Sequence, residues 1–283
     1  ILLHENPAHV LFMGLGTGLT AGGAVPHQEV KSIVAVELIP EVVEAARTLA
    51  EHNYNVVDHP KVDVHIDDAR HDLLAHDRNY DVIVSDLFVP WESETGYLYT
   101  VEHYRVAASR LNADGLFCQW LPLYQVGERE FELIANSFAS VFPHTTIWWG
   151  QLESTSPVIA LIGTNSPINF DSDRIENRLH DLRQNVTTID PTIATPKDIA
   201  NLYIGDWQLQ PSAKFNSDEH PRVEFLTPIS NRNRQMIRGN AFESYYNKSL
   251  SPLPADSVVF SGTKEIKTPR KRRAIQRTIL FGR

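Results

Sequence analysis

The residues that could do chemistry in this chain are a glycine-rich turn and a few acids placed after apolar runs. Gly14-Leu15-Gly16-Thr17-Gly18 follows Val10-Leu11-Phe12. A strand, a turn of this kind and a helix leave unpaired backbone N–H groups beside a ligand, and glycine lets the chain turn and the ligand approach without a Cβ in the way. A tight turn with no ligand would use the same glycines. Glu37 ends the next apolar run about 20 residues on, where a carboxylate can accept hydrogen bonds from both hydroxyls of a ribose. Asp67-Asp68-Ala69 closes a third run, and an acid there can accept from the exocyclic amine of adenine. Either acid could instead cap the helix expected near Arg70. Asp86 ends a fourth, almost wholly apolar run, where a charge is costly unless it has a partner or a task. The glycines and Glu37 alone suit a nicotinamide dinucleotide as well as an adenosylmethionine. The acids at 67, 68 and 86 point to the second.

These side chains need a scaffold that brings four strand ends together, and the periodicity supplies one. Short β-branched runs at Val10–Phe12, Ile33–Val36, Val62–Ile66 and Tyr80–Val84 alternate with amphipathic stretches, the pattern of a parallel sheet with crossover helices. Pro40-Glu41 opens a helix whose expected inner face is Val42, Ala46 and Leu49. A fifth strand is expected at Leu116–Trp120 after an Asp114-Gly115 turn. Phe131, Ile134, Phe138 and Val141 repeat at helical spacing, and runs near Thr146–Trp149 and Val158–Ile162 are placed to pair antiparallel. The reading is an α/β, Rossmann-like, doubly wound sheet of seven strands, mostly parallel with a closing antiparallel hairpin, over residues 1–165. Residues 166–230 form a helical extension, with helices near Asp173–Leu182 and Pro196–Tyr203. Residues 231–283 are expected to form a basic, flexible tail, because Lys264, Lys267, Arg270, Lys271, Arg272, Arg273 and Arg277 follow Pro- and Ser-bearing sequence.

Composition narrows the partners. The 283-residue chain has a formal charge of −9, which disfavours general binding to nucleic acid. Its one cysteine, Cys118, can form no intrachain disulfide and has apolar neighbours, consistent with a packing role in a reducing compartment such as the cytoplasm. No run of about 18 apolar residues is present to span a bilayer. Residue 1 is Ile, so upstream sequence is expected to be missing, and with it any membrane-embedded part. The histidines show no His-x-x-x-His pair with a nearby acid, so no metal is expected, and no Gly-x-Ser-x-Gly elbow supports hydrolysis.

The order of VLFMGLGTG, VAVELIPEVVEAAR, IDDARHDL, YDVIVSDLFVP, LYTVEHY and GLFCQWL resembles the spermidine/spermine synthase family of aminopropyltransferases. LIGTNSPINFDSDRIENRL and FNSDEHPRVEFLTP resemble the soluble half of bacterial proteins that fuse such a domain to membrane segments, so the chain could be the cytosolic part of a membrane protein. The resemblance runs from about His4 to Pro228. It implies a class I S-adenosylmethionine-dependent methyltransferase-like fold. It also implies transfer of an aminopropyl group from decarboxylated S-adenosylmethionine to a small amine such as putrescine, with a homodimer as the expected assembly. On that resemblance Gly14, Gly16, Thr17 and Gly18 meet the nucleoside, Glu37 holds the ribose, Asp67, Asp68 and Ala69 hold the adenine, and Asp86 orients the attacking amine. Family members carry an Asp where this chain has Thr17 and a second Asp where it has Val89. Glu92 and Glu94 could replace that charge while Trp91, Tyr97 and Tyr99 cover the methylenes, and Gln119, Tyr124 and Gln125 are further candidate substrate contacts. Thr17 also suggests a methyltransferase using S-adenosylmethionine itself, and Val89 a non-catalytic module that binds a nucleoside or polyamine.

Overall fold

The apolar runs at Val10–Phe12, Ile33–Val36 and Val82–Val84 become strands buried on both faces, whereas Val62–Ile66 lies at the edge of the sheet. The computed structural model describes residues 1–92 and 94–282. Through residue 164 it comprises β1 (His9–Met13), α1 (Leu19–Gly22), β2 (Ser32–Glu37), α2 (Pro40–Arg47), β3 (Val62–Ile66), α3 (Ala69–Ala75) and β4 (Tyr80–Ser85), then α4 (Val101–Ser109), β5 (Leu111–Pro122), α5 (Glu128–Ala139), β6 (His144–Gln151) and β7 (Val158–Thr164). Beyond it come β8 (Ile168–Asp171), α6 (Ser172–Asn185), α7 (Pro196–Leu202), β9 (Tyr203–Asp206), α8 (Arg222–Arg232), α9 (Gly239–Tyr245), β10 (Val258–Ser261) and α10 (Pro269–Phe281).

The main sheet runs β3-β2-β1-β4-β5-β7-β6-β9. Its first five strands are parallel and β7 enters antiparallel between β5 and β6, so the expected mostly parallel sheet with a closing hairpin is what forms. Side chains alternate between faces. Leu11, Ile83 and Phe117 point to one core, while Val10, Phe12, Val82, Val84 and Cys118 point to the other. On the first face Phe117 stacks on Phe142 at 5.6 Å between ring centroids, and Phe138 lies 4.7 Å from Phe142. Gly163 on β7 has no space for a side chain beneath these rings, since a Cβ there would sit 2.4 Å from Phe142. Burial pushes the Cys118 thiol up to about 12, so it is a packing group and not a nucleophile.

Several local expectations shift. The Asp114-Gly115 turn is a bulge inside β5, because Tyr80 pairs with Leu111 and Val82 already pairs with Leu116. On α2 the buried residues are Val43 and Ala46. The extension is not purely helical: β9 adds an eighth strand to the sheet through β6, and β8 pairs with β10 in a second, two-stranded parallel sheet.

The largest correction concerns residues 231–283, which are not a flexible tail. Phe242, Tyr245, Tyr246, Leu250 and Leu280 lie in the same core as Leu11, Ile83 and Phe131, so no boundary at 165 or 230 separates independent cores. The basic run misled because its cations divide between the two faces of α10. Arg272 is 2% exposed, with its guanidinium 4.7 Å from the Phe260 ring centroid and 5.3 Å from that of Tyr203, while Arg270, Lys271 and Arg277 face solvent. Gln276, fully buried, donates to the carbonyls of Asn201 (2.7 Å) and Tyr203 (2.9 Å). Gln276→Ala strips the buried Tyr203 carbonyl and the half-buried Asn201 carbonyl of their donor and is expected to lower unfolding stability by about 1–3 kcal/mol in urea titrations. A free tail would show no change.

Candidate functional site

The sheet order reverses at β1 and β4. From β1 the chain moves outward through β2 and β3, then returns to β4 on the opposite side, so the connections leaving the carboxyl ends of β1 and β4 diverge and open a crevice. Met13 and Ser85 are register partners there, and the Asp86 N–H donates to the Met13 carbonyl at 3.1 Å. Parallel pairing thus sets Gly14 and Asp86 side by side.

A cavity of about 290 Å³ fills this crevice. Gly14, Gly16, Glu37, Asp67, Asp68, Ala69, Asp86, Glu92 and Glu94, separated by up to 80 positions in the chain, meet on its wall. The structure adds lining residues that the sequence reading did not name: Leu38, Ile39, Leu87, Phe88 and Leu98. Leu38, Ile39 and Leu87 are unusually exposed for large apolar residues, the one signal that could have marked them as ligand-facing. Thr17 is exposed and lies off the wall, its carbonyl accepting from Asn53 at 3.0 Å. Gly18 precedes α1 in left-handed conformation (φ 76°), with Val56 and Asn53 too close for a Cβ. Trp91, Tyr97, Gln119, Tyr124 and Gln125 do not line the cavity. Tyr99 is fully buried and donates to the Phe88 carbonyl, and Gln119 is fully buried with its amide on the Trp120 carbonyl. Val89 is also off the wall.

Each acid is held differently. Glu37 accepts from Leu15 N–H and Gly16 N–H on one oxygen and from Ile39 N–H on the other, all at 3.1 Å. The carboxylate therefore fastens the glycine turn to the end of β2. Gly14 has φ 91° and its absent Cβ would touch Phe88 at 3.3 Å, so only glycine suits both the conformation and the space. Asp68 caps α3 through His71 N–H at 2.8 Å on one oxygen, and among the described residues the other has no hydrogen-bond partner. Asp67 accepts from the Asp68 N–H and from the His71 ring, and that ring lowers its pKa below the ordinary carboxylate range. Glu94 sits in left-handed backbone conformation (φ 71°), unusual for a non-glycine residue.

Asp86 is the exception. Burial raises its pKa above the ordinary value, and the Leu87 N–H (2.8 Å) and Thr20 hydroxyl only partly offset this. Among the described residues no Lys or Arg forms an ion pair with it. A desolvated carboxylate on a cavity wall without a cation is suited to receive a ligand's ammonium or proton.

A sheet in this order with a crevice at its switch point defines a class I methyltransferase-like, Rossmann-type fold. Residues 1–152 match the spermine/spermidine synthase domain, and the chain belongs to that family. A polyamine aminopropyltransferase of Thermotoga petrophila is 28% identical over 184 residues, covering 62% of each chain, so this chain spans less than two thirds of that relative. Two of the solved structures that share the fold illustrate it. One is a spermidine synthase in complex with the transition-state analogue AdoDATO, with TM-score 0.53 and 20% identity over 83% of this chain and 72% of that one. The other is human methyltransferase-like protein 13 in complex with SAH, with TM-score 0.50 and 18% identity over 68% of this chain and 91% of that one.

The raised pKa has a measurable consequence. Because the folded pKa of Asp86 lies above its unfolded one, the ionised group favours unfolding at neutral pH, and this penalty fades as pH falls through the folded pKa. Asp86→Asn is therefore expected to raise the thermal midpoint of the ligand-free protein at pH 7, with the gain shrinking towards pH 4. A midpoint lowered at pH 7 would mean that the carboxylate is a structural partner.

Proposed function

We propose that this chain transfers an aminopropyl group from decarboxylated S-adenosylmethionine to a small amine such as putrescine. The observation that carries the reading is Asp86, desolvated and, among the described residues, without a Lys or Arg partner, on the same wall as Glu37 and Asp68. Family membership supports the chemistry, and the analogue named with the spermidine synthase of like fold supports the donor class.

The residues suit a nucleoside donor. Glu37 retains acceptor capacity for ribose hydroxyls while holding the turn, and Asp68 has one oxygen available for the adenine amine. Leu38 and Ile39 supply apolar contact. The acceptor reaches the donor as an ammonium and must lose a proton before its nitrogen can attack carbon. Asp86 orients that nitrogen and takes the proton, the new C–N bond forms as the C–S bond breaks, and the electron pair leaves on sulfur, so methylthioadenosine departs neutral without an acid of its own. Glu92 and Glu94 on the wall hold the far ammonium of a diamine, in place of the acids that Thr17 and Val89 do not supply.

A second reading, methyl transfer from S-adenosylmethionine itself, is supported by the fold shared with human methyltransferase-like protein 13 in complex with SAH. Incubation with putrescine and each donor in turn, followed by mass analysis, separates the two. An added aminopropyl group from the decarboxylated donor is the expected product, and a methylated amine from the other donor would establish the second reading. Asp86→Asn is expected to lower kcat by about 10²–10⁴-fold, the usual range for a lost general base, while methylthioadenosine still binds. Absence of any product together with no calorimetric binding of methylthioadenosine or the decarboxylated donor would overturn both.

A further inference from the structure

Outside the cavity, on the far side of α3, three side chains converge that sequence spacing did not bring together. His65 lies on β3, Asp72 on α3, and His76 is the residue on which α3 ends. The Asp72 carboxylate lies 2.8 Å from His65 Nδ1 and 3.0 Å from His76 Nδ1. The two rings are 5.3 Å apart, and the three ligand-type atoms all lie within 4.8 Å of one another. Asp72 is 3% exposed, and among the described residues its only ion-pair partners are these two imidazoles. A buried carboxylate needs a cation, and imidazoles are largely uncharged at neutral pH unless paired.

We propose that His65 Nδ1, His76 Nδ1 and the Asp72 carboxylate form a site for a divalent transition metal of the Zn²⁺ class, with a fourth position left for water. The donor set is two imidazoles and one carboxylate, which suits Zn²⁺ and not the all-oxygen preference of Mg²⁺ or Ca²⁺. Closing the site needs a rearrangement: ligand atoms around tetrahedral Zn²⁺ stand about 3.3 Å apart at metal bonds near 2.0–2.1 Å, whereas the three atoms here lie within 4.8 Å of one another, and His76 Nδ1 also lies 3.1 Å from the Asp72 carbonyl oxygen, a contact the metal would replace. His76, with its side chain 44% exposed, has room for that movement. An outer partner is also in place: Nε2 of His65 lies 3.1 Å from Asp63 Oδ2, so with the metal on Nδ1 the Nε2–H donates to a carboxylate, the arrangement that orients metal-bound histidines. Arg78, 3.4 Å from Asp63, neutralises that outer acid. None of the three ligands lines the cavity. The metal would instead cross-link β3 to the end of α3, the helix whose first residues, Asp68 and Ala69, form part of the cavity wall.

The test does not depend on the reaction. Chelator-stripped protein is titrated calorimetrically with Zn²⁺ alone, and one ion per chain is expected, with a rise in thermal midpoint. Asp63→Asn should weaken binding about 10–100-fold, as loss of an outer partner does, and His76→Ala should weaken it further. His71→Ala, which removes a neighbouring histidine paired with Asp67, should leave it unchanged. Co²⁺ substitution should give visible absorption that disappears in His76→Ala. No binding of one ion per chain, or Zn²⁺ binding unaffected by His76→Ala, would overturn the proposal. Circular dichroism confirms that each variant is folded, and His65→Gln replaces His76→Ala should that variant fail to fold.

Discussion

A carboxylate at the end of a buried strand sets the terms for the surrounding site. Asp86 follows Val82, Ile83, Val84 and Ser85, which are buried, and its backbone continues the pairing of β4 with β1 by donating to Met13. That backbone bond fixes its Cα at the edge of the crevice. Its burial raises its pKa, and the Leu87 N–H and Thr20 hydroxyl compensate only in part. A charge placed this way is suited to the ammonium that the proposed reaction would bring to it.

Glu37 answers a complementary problem. The glycine turn has left-handed conformations at Gly14, Gly16 and Gly18, and such a turn loses much backbone entropy when it is ordered. Three backbone N–H donors on one carboxylate tie the turn to the end of β2. The same acid that would meet a ribose therefore organises its own surroundings beforehand, so less ordering remains to be done on binding.

The C-terminal residues show how composition can mislead about order. Seven cations close together read as a solvated segment. In the folded chain Arg272 loses water but gains the faces of Tyr203 and Phe260, and Arg273 reaches the Leu253 carbonyl. Arg272 is buried and Arg273 half-buried, their long apolar stems packing while their heads find π-faces or carbonyls. Which arginines do so depends on helix phase relative to a surface built from Tyr203, Leu253 and Phe260, between 12 and 69 positions earlier.

The local pattern was enough for the parallel sheet, the turn and the acids at 37, 67, 68 and 86, because strand runs and the residues that end them are consecutive in the chain. A parallel sheet then places every strand's carboxyl end at one edge. Tertiary structure alone decided the rest. It placed Phe88 and Leu98 on the cavity wall and moved Thr17, Tyr97, Gln119 and Tyr124 off it, since side-chain direction in loops and bulges follows packing and has no sequence period. It joined His65 to Asp72 and His76, because a strand and a helix with different periods meet at one register only once both are packed.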